Sequence, residues 1–132
     1  MNRLVKQAFY GAAIASSVAL VHSEAQAQAP AKEAPRSWVA SPGVYKVIGQ
    51  NAQYRIILAT WKPGQIDKPH SHKAGTTVTL TDCETRNHPT GAAPVDRPPR
   101  KAGDVLPLTA TPSHQNENVG KAVCQIVLIE MK

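Results

Sequence analysis

The sequence predicts an all-β domain of the sandwich or barrel class, preceded by a secretory signal. Three observations predict it. After residue 27 no segment sustains a helical period of apolar residues. Short β-branched and apolar runs recur between turns marked by Gly and Pro, which number 8 and 11 in the chain. Residues 122–130 form a near-continuous apolar strand, the strongest β signal present. At 132 residues the chain holds one domain at most, and no internal repeat is evident.

Residues 1–27 read as a helical secretory signal peptide. Arg3 and Lys6 supply the positive start, Ala8 to Val21 is an uncharged Ala-rich run, and Ala25-Gln26-Ala27 is a small-x-small cleavage site. The apolar run is too short to span a bilayer as a helix, so the mature protein is expected to be periplasmic or secreted, with no stable membrane association after cleavage. The formal net charge is +6, and cleavage removes only Arg3, Lys6 and Glu24. The basic residues are scattered, without interleaved aromatics, which argues against nucleic acid as a partner. Cys83 and Cys124 remain after cleavage. In an oxidising compartment an even pair is a disulfide candidate, and two separate buried thiols are the alternative.

Residues 28–40 are rich in Ala, Pro, Lys and Glu and read as a flexible lead-in. Ser41-Pro42-Gly43 is a turn, Val44 to Ile48 a short strand, and Gly49-Gln50-Asn51 a hairpin turn. Gln53 to Trp61 is a strand with two largely apolar faces, which suggests an interior position rather than a surface edge. Lys62-Pro63-Gly64 turns the chain again. Thr76 to Thr81 is β-branched and favours a strand, and Cys83 to His88 is a further candidate. Pro89, Pro94, Pro98 and Pro99 exclude helix and any central strand from residues 89–102. Val105 to Leu108 follows Gly103-Asp104, and Thr111-Pro112-Ser113 is read as a turn before His114.

The chemistry centres on His70-Ser71-His72. On a strand, residues i and i+2 share a face, so both imidazoles point one way. Neutral imidazole is the commonest protein ligand for transition metals, and an isolated His-x-His supplies part of a metal site or merely a solvent-facing loop.

Two motifs complete the pattern. Five residues separate Gly64 from His70, with His72 in register, while Gly103, His114 and Asn118 keep the separations of a second motif. In these positions the chain resembles the cupin superfamily, over roughly Val44 to Glu130. The resemblance implies a cupin-type jelly-roll β-barrel, or double-stranded β-helix, over residues 41–132. It implies that His70, His72 and His114 converge at the barrel mouth from two neighbouring strands. It also brings the strand of Cys124 beside Cys83, which favours the disulfide. The sequence departs from the pattern where the glutamate ligand falls at Thr76 or Thr77, and where Pro-x-Gly is Thr109-Ala110-Thr111. The implied variant therefore holds one divalent transition metal on three histidines, with Fe, Zn, Cu, Ni and Mn not distinguished.

Thr76 is expected around those ligands and Asn118 either there or in a turn, His88 on the surface, and Asp82 and Glu84 away from the site unless the strand register slips to make one an oxygen ligand or base. Lacking the carboxylate, the metal is expected to be a stronger Lewis acid towards an anionic ligand. A Cys–Tyr thioether, found in some three-histidine thiol oxygenases, is not expected, because Tyr45 and Tyr54 precede the motif. The functions implied are a metal-dependent dioxygenase or isomerase of a small polar substrate, or a non-catalytic periplasmic module binding metal or a small ligand. A β-sandwich whose histidines only pack is the third reading. A homodimer through edge strands is implied as well, with the first strand as donor.

Overall fold

The structure, a computed structural model, describes residues 32–132; the expected signal peptide and the start of the lead-in lie outside the described residues. In chain order the elements are α1 (Ser37–Ala40), β1 (Tyr45–Gln50), β2 (Tyr54–Trp61), β3 (His70–His72), β4 (Gly75–Thr79), β5 (Thr85–Pro89), β6 (Val95–Asp96), β7 (Val105–Leu108), β8 (Thr111–Asn118) and β9 (Cys124–Met131). They form two antiparallel sheets, ordered β1-β2-β9-β4-β7 and β3-β8-β5-β6. The all-β expectation holds, with one four-residue helix added.

Alternation along the paired strands builds the core. Ile57, Ala59 and Trp61 of β2 lie opposite Leu128, Ile126 and Cys124 of β9, and all six are buried. Tyr45 of β1 pairs with Ala59 and joins the same face. The outward residues Ile56 and Leu58 of β2 are only half-buried. That explains why both faces of the strand look apolar although one alone faces the core. Gly75 is required where β4 crosses β9, because a Cβ there would collide with the Ile129 carbonyl oxygen. This close approach seats Gly75 opposite Glu130.

Two local readings change. Thr111-Pro112-Ser113 is the start of β8 rather than a turn. Pro112 sits near the strand end, and its carbonyl accepts a hydrogen bond from the Ala34 N–H at 2.8 Å. Pro107 lies inside β7, which is tolerated because β7 is an edge of its sheet. The lead-in is pinned from Ala34 onward. The Ser71 N–H donates to Pro35 O, and the Ser71 hydroxyl donates to Ala34 O at 2.8 Å. Composition suggests flexibility there, but β3 ends its sheet and leaves backbone groups that need partners. The segment thus covers the strand that carries both histidines.

Cys83 and Cys124 form a disulfide with Cα atoms 5.0 Å apart. It joins the start of β9 to the turn before β5 and so ties the two sheets at one end. Among the described residues, nine buried apolar side chains are outnumbered by thirteen buried polar or charged ones, so this crosslink supports an unusually polar interior. Replacing both cysteines by serine should lower the unfolding free energy by about 2–4 kcal/mol, measured by urea titration followed by Trp fluorescence. An unchanged midpoint would contradict this.

Candidate metal centre

His70 and His72 reach inward from β3, and His114 reaches inward from β8, where it is the cross-strand partner of His70. The residues are 0%, 3% and 7% exposed. The Nε2 atoms of His70 and His72 are 2.9 Å apart. Ring centroids lie 4.6 Å apart for His70–His72 and His70–His114, and 5.1 Å for His72–His114. One ligand atom from each residue can be chosen so that all three lie within 4.8 Å of one another.

The hydrogen bonds behind the rings decide what these nitrogens are. His70 Nδ1 donates to the Lys68 carbonyl oxygen at 2.8 Å. His72 Nδ1 donates to Glu130 Oε1 at 2.6 Å. His114 Nδ1 donates to Asn87 Oδ1 at 2.6 Å. Each acceptor has no proton to give, so in each neutral ring the proton sits on Nδ1 and Nε2 carries a lone pair. The Nε2 lone pairs of His70 and His72 then face each other, and the buried Nε2 of the adjacent His114 has no hydrogen-bond partner. Such an arrangement is costly unless a cation lies between them. A proton is a poor candidate at neutral pH. Burial, followed by the neighbouring His70, His72 and Arg97, pushes His114 down to about 3, and burial lowers His70. A divalent transition metal fits this donor set.

Solved structures share the architecture. A cupin domain from Bordetella pertussis matches with a TM-score of 0.61 at 17% identity, over 76% of this chain and 97% of that one. A cupin family protein with a double-stranded β-helix fold from Methanocaldococcus jannaschii matches at 0.53 and 10% identity, over 67% and 78%. An uncharacterized conserved protein with a double-stranded β-helix domain from Klebsiella pneumoniae matches at 0.51 and 19% identity, over 65% and 73%. This chain has the cupin fold. No protein-family model and no curated protein matches the sequence.

The cupin barrel also brings together residues that the linear motifs do not mark. Glu130 is 2% exposed and holds His72. Asp67, 4% exposed, accepts from the Tyr45 hydroxyl at 2.7 Å, from Trp61 Nε1 at 3.1 Å and from the Asn116 N–H at 2.8 Å. The Tyr45 oxygen lies 3.1 Å from His70 Nε2. Burial, then the charge of Asp67, raises the Tyr45 phenol well above its usual range, so it stays a hydroxyl. The motif position carries no carboxylate, as the sequence indicates, but two buried carboxylates, Asp67 and Glu130, stand close behind the imidazoles. Tyr45 reaches the histidines despite its place before the motif, while both cysteines are in the disulfide and unavailable to it.

Other expected residues fall elsewhere. Thr76 lies on the outward face of β4, and Thr77, opposite Leu128, faces the barrel. Asn118 is buried but binds Trp61 O, Ala122 O and the Gly120 N–H, so it fixes the turn into β9 and does not contact the histidines. His88 is on the opposite face of β5 from Asn87 and pairs with Glu117 at 2.9 Å. Asp82 is exposed and pairs with Lys101, and Glu84 is exposed.

Two outcomes test this centre. Glu130→Gln should weaken metal affinity by about 10–100-fold, since it removes the charge that orients His72; competition with a chromogenic chelator measures it. In metal-free protein the folded His114 takes its proton only near about 3, against about 6.5 in the unfolded chain. Between those values the unfolded chain binds more protons, so stability falls as pH drops through the window and is indifferent to this group above it. Tm should therefore decline from about pH 6.5 towards about 4, less steeply in His114→Gln; equal slopes would contradict the assignment.

Proposed function

We propose that this chain is an exported metalloprotein that holds one divalent transition metal on His70, His72 and His114 and presents it to a small ligand inside the barrel, with oxygenase-type oxidoreductase chemistry. The observation that carries the reading is the orientation of the three rings, each with Nδ1 committed and Nε2 free. When bound, such a metal supplies a Lewis-acidic centre with open positions for substrate.

The rest of the reading comes from the chain itself. A cavity of about 340 Å³ opens over His72 and His114. Thr77, Asn87 and Asn116 offer polar groups to a ligand there, and Leu108, Ile126 and Leu128 supply an apolar wall. Among the described residues no carboxylate lines this cavity. Isomerisation by proton abstraction therefore lacks a carboxylate base in reach of the ligand, which favours the oxygenase branch. The same scarcity supports a second reading, a non-catalytic periplasmic module for metal or small ligands. Export is supported by the signal pattern of residues 1–27 and by the disulfide, which suits an oxidising compartment.

Elemental analysis of the mature protein should find one metal per chain, and His70→Ala or His114→Ala should lose most of it. Full metal retention in both variants would end the reading. Oxygen consumption against diketones, flavonols and thiols, with His114→Ala as control, separates enzyme from binding module.

A further inference from the structure

We infer that the cavity takes a small organic carboxylate, whose charged end is bound by Arg97 and Arg100 and whose apolar body lies against Ile126 and Leu128. The inference names the ligand class of the cavity and rests on its reading as the ligand chamber of the histidine site.

Both arginines line the same cavity as His72 and His114. Two other cations of the region are neutralised. Arg86 is held by Asp96 at 2.6 Å and lies 3.8 Å from Glu117, and Lys101 is held by Asp82 at 2.7 Å. Among the described residues neither Arg97 nor Arg100 forms an ion pair or a side-chain hydrogen bond, although Arg100 is half-buried. A guanidinium carries five donors and is strongly disfavoured when partly buried without acceptors. Burial, then the charge of Arg97, lowers the Arg100 guanidinium, and the charge of Asp104 acts the other way.

The backbone holds the pair in place. Arg97 N–H donates to Thr85 O at 2.8 Å, and Arg100 exchanges two 2.9 Å hydrogen bonds with Cys83, itself in the disulfide. Between them stand Pro98 and Pro99. A Pro-Pro pair favours polyproline II, whose three residues per turn put positions i and i+3 on one side. Two arginines, Arg97 exposed and Arg100 half-buried, thus line a cavity that, among the described residues, no carboxylate lines, while Arg100 also borders a neighbouring cleft with Asp82 and Glu84. A carboxylate satisfies the guanidiniums with bidentate geometry, and the apolar wall calls for an organic ligand rather than an inorganic ion.

Isothermal titration of the full mature protein with benzoate, benzamide and inorganic phosphate tests this, with metal loaded and after chelation. Benzoate should bind about tenfold or more tighter than benzamide, and Arg97→Gln and Arg100→Gln should each cost about tenfold, as expected for a lost charge-assisted bond. Arg100→Lys serves should Arg100→Gln fold poorly, and it should also bind benzoate more weakly. Equal binding of acid and amide, or unchanged affinity in the variants, would overturn the inference. Phosphate binding tighter than benzoate would overturn the carboxylate assignment. Arginine-dependent benzoate binding in a protein that takes up no metal would refute the metal reading alone. Metal uptake with arginine-independent benzoate binding would refute this inference alone.

Discussion

The structure depends on where the three imidazole protons are. A histidine ring can present either nitrogen, and a metal site needs the same choice made three times. Here the choice is made by three different acceptors: the Lys68 carbonyl, the Glu130 carboxylate and the Asn87 amide oxygen. They come from the turn before β3, from β9 and from β5, so elements of both sheets must be in place before the rings are oriented. The Gly75 crossing, the disulfide and the strapped lead-in serve this end, since each fixes a strand that carries a ligand or its acceptor.

The arrangement couples folding to the ion. Without a cation, the fold buries an unpartnered Nε2 on His114 and two carboxylates whose charges answer nothing at the centre. On the proposed reading, a bound cation would make the lone pairs ligands, and Asp67 and Glu130 would balance its charge. Binding free energy at such a site would also be folding free energy. The interior has few apolar side chains to spare, so the disulfide, joined by the ion on that reading, takes a supporting role that a larger hydrophobic core would otherwise fill.

The strand pattern was legible in local spacing and the histidine triad in two short motifs, while the cysteine pair was legible through the oxidising compartment and the resemblance. The outer ring of the site was not, because it rests on register between strands. Tyr45 reaches His70 only through the β1–β2 pairing, which contains a shift between Val47 and Gly49, and nothing local announces it. Thr76 and Thr77 could not be told apart by counting, since parity on β4 is set by its neighbour β9. Glu130 could have been found: it continues the series Cys124, Ile126, Leu128 along the buried face. A carboxylate in phase with the most apolar run of a chain is a signal in itself, because burial of an acid demands a partner. The pinned lead-in was hidden for another reason, since composition reports propensity but not the open sheet edge waiting at β3.

The displaced carboxylate gives the site its direction. A glutamate at the position of Thr77 would lie on the cavity-facing side of the barrel, spend one metal position and set negative charge in front of an incoming ligand. Glu130 and Asp67 instead stand behind the rings, where they orient and balance without facing the cavity. The ligand side is left with imidazoles, amides, hydroxyls and two guanidiniums. On the proposed reading, a field that runs from buried acids through the histidines to basic groups at the cavity wall would draw anions inward and would leave the coordination positions facing the cavity free. Acids behind the rings and bases in front set the polarity of the site, and the chemistry open to it would follow from that polarity.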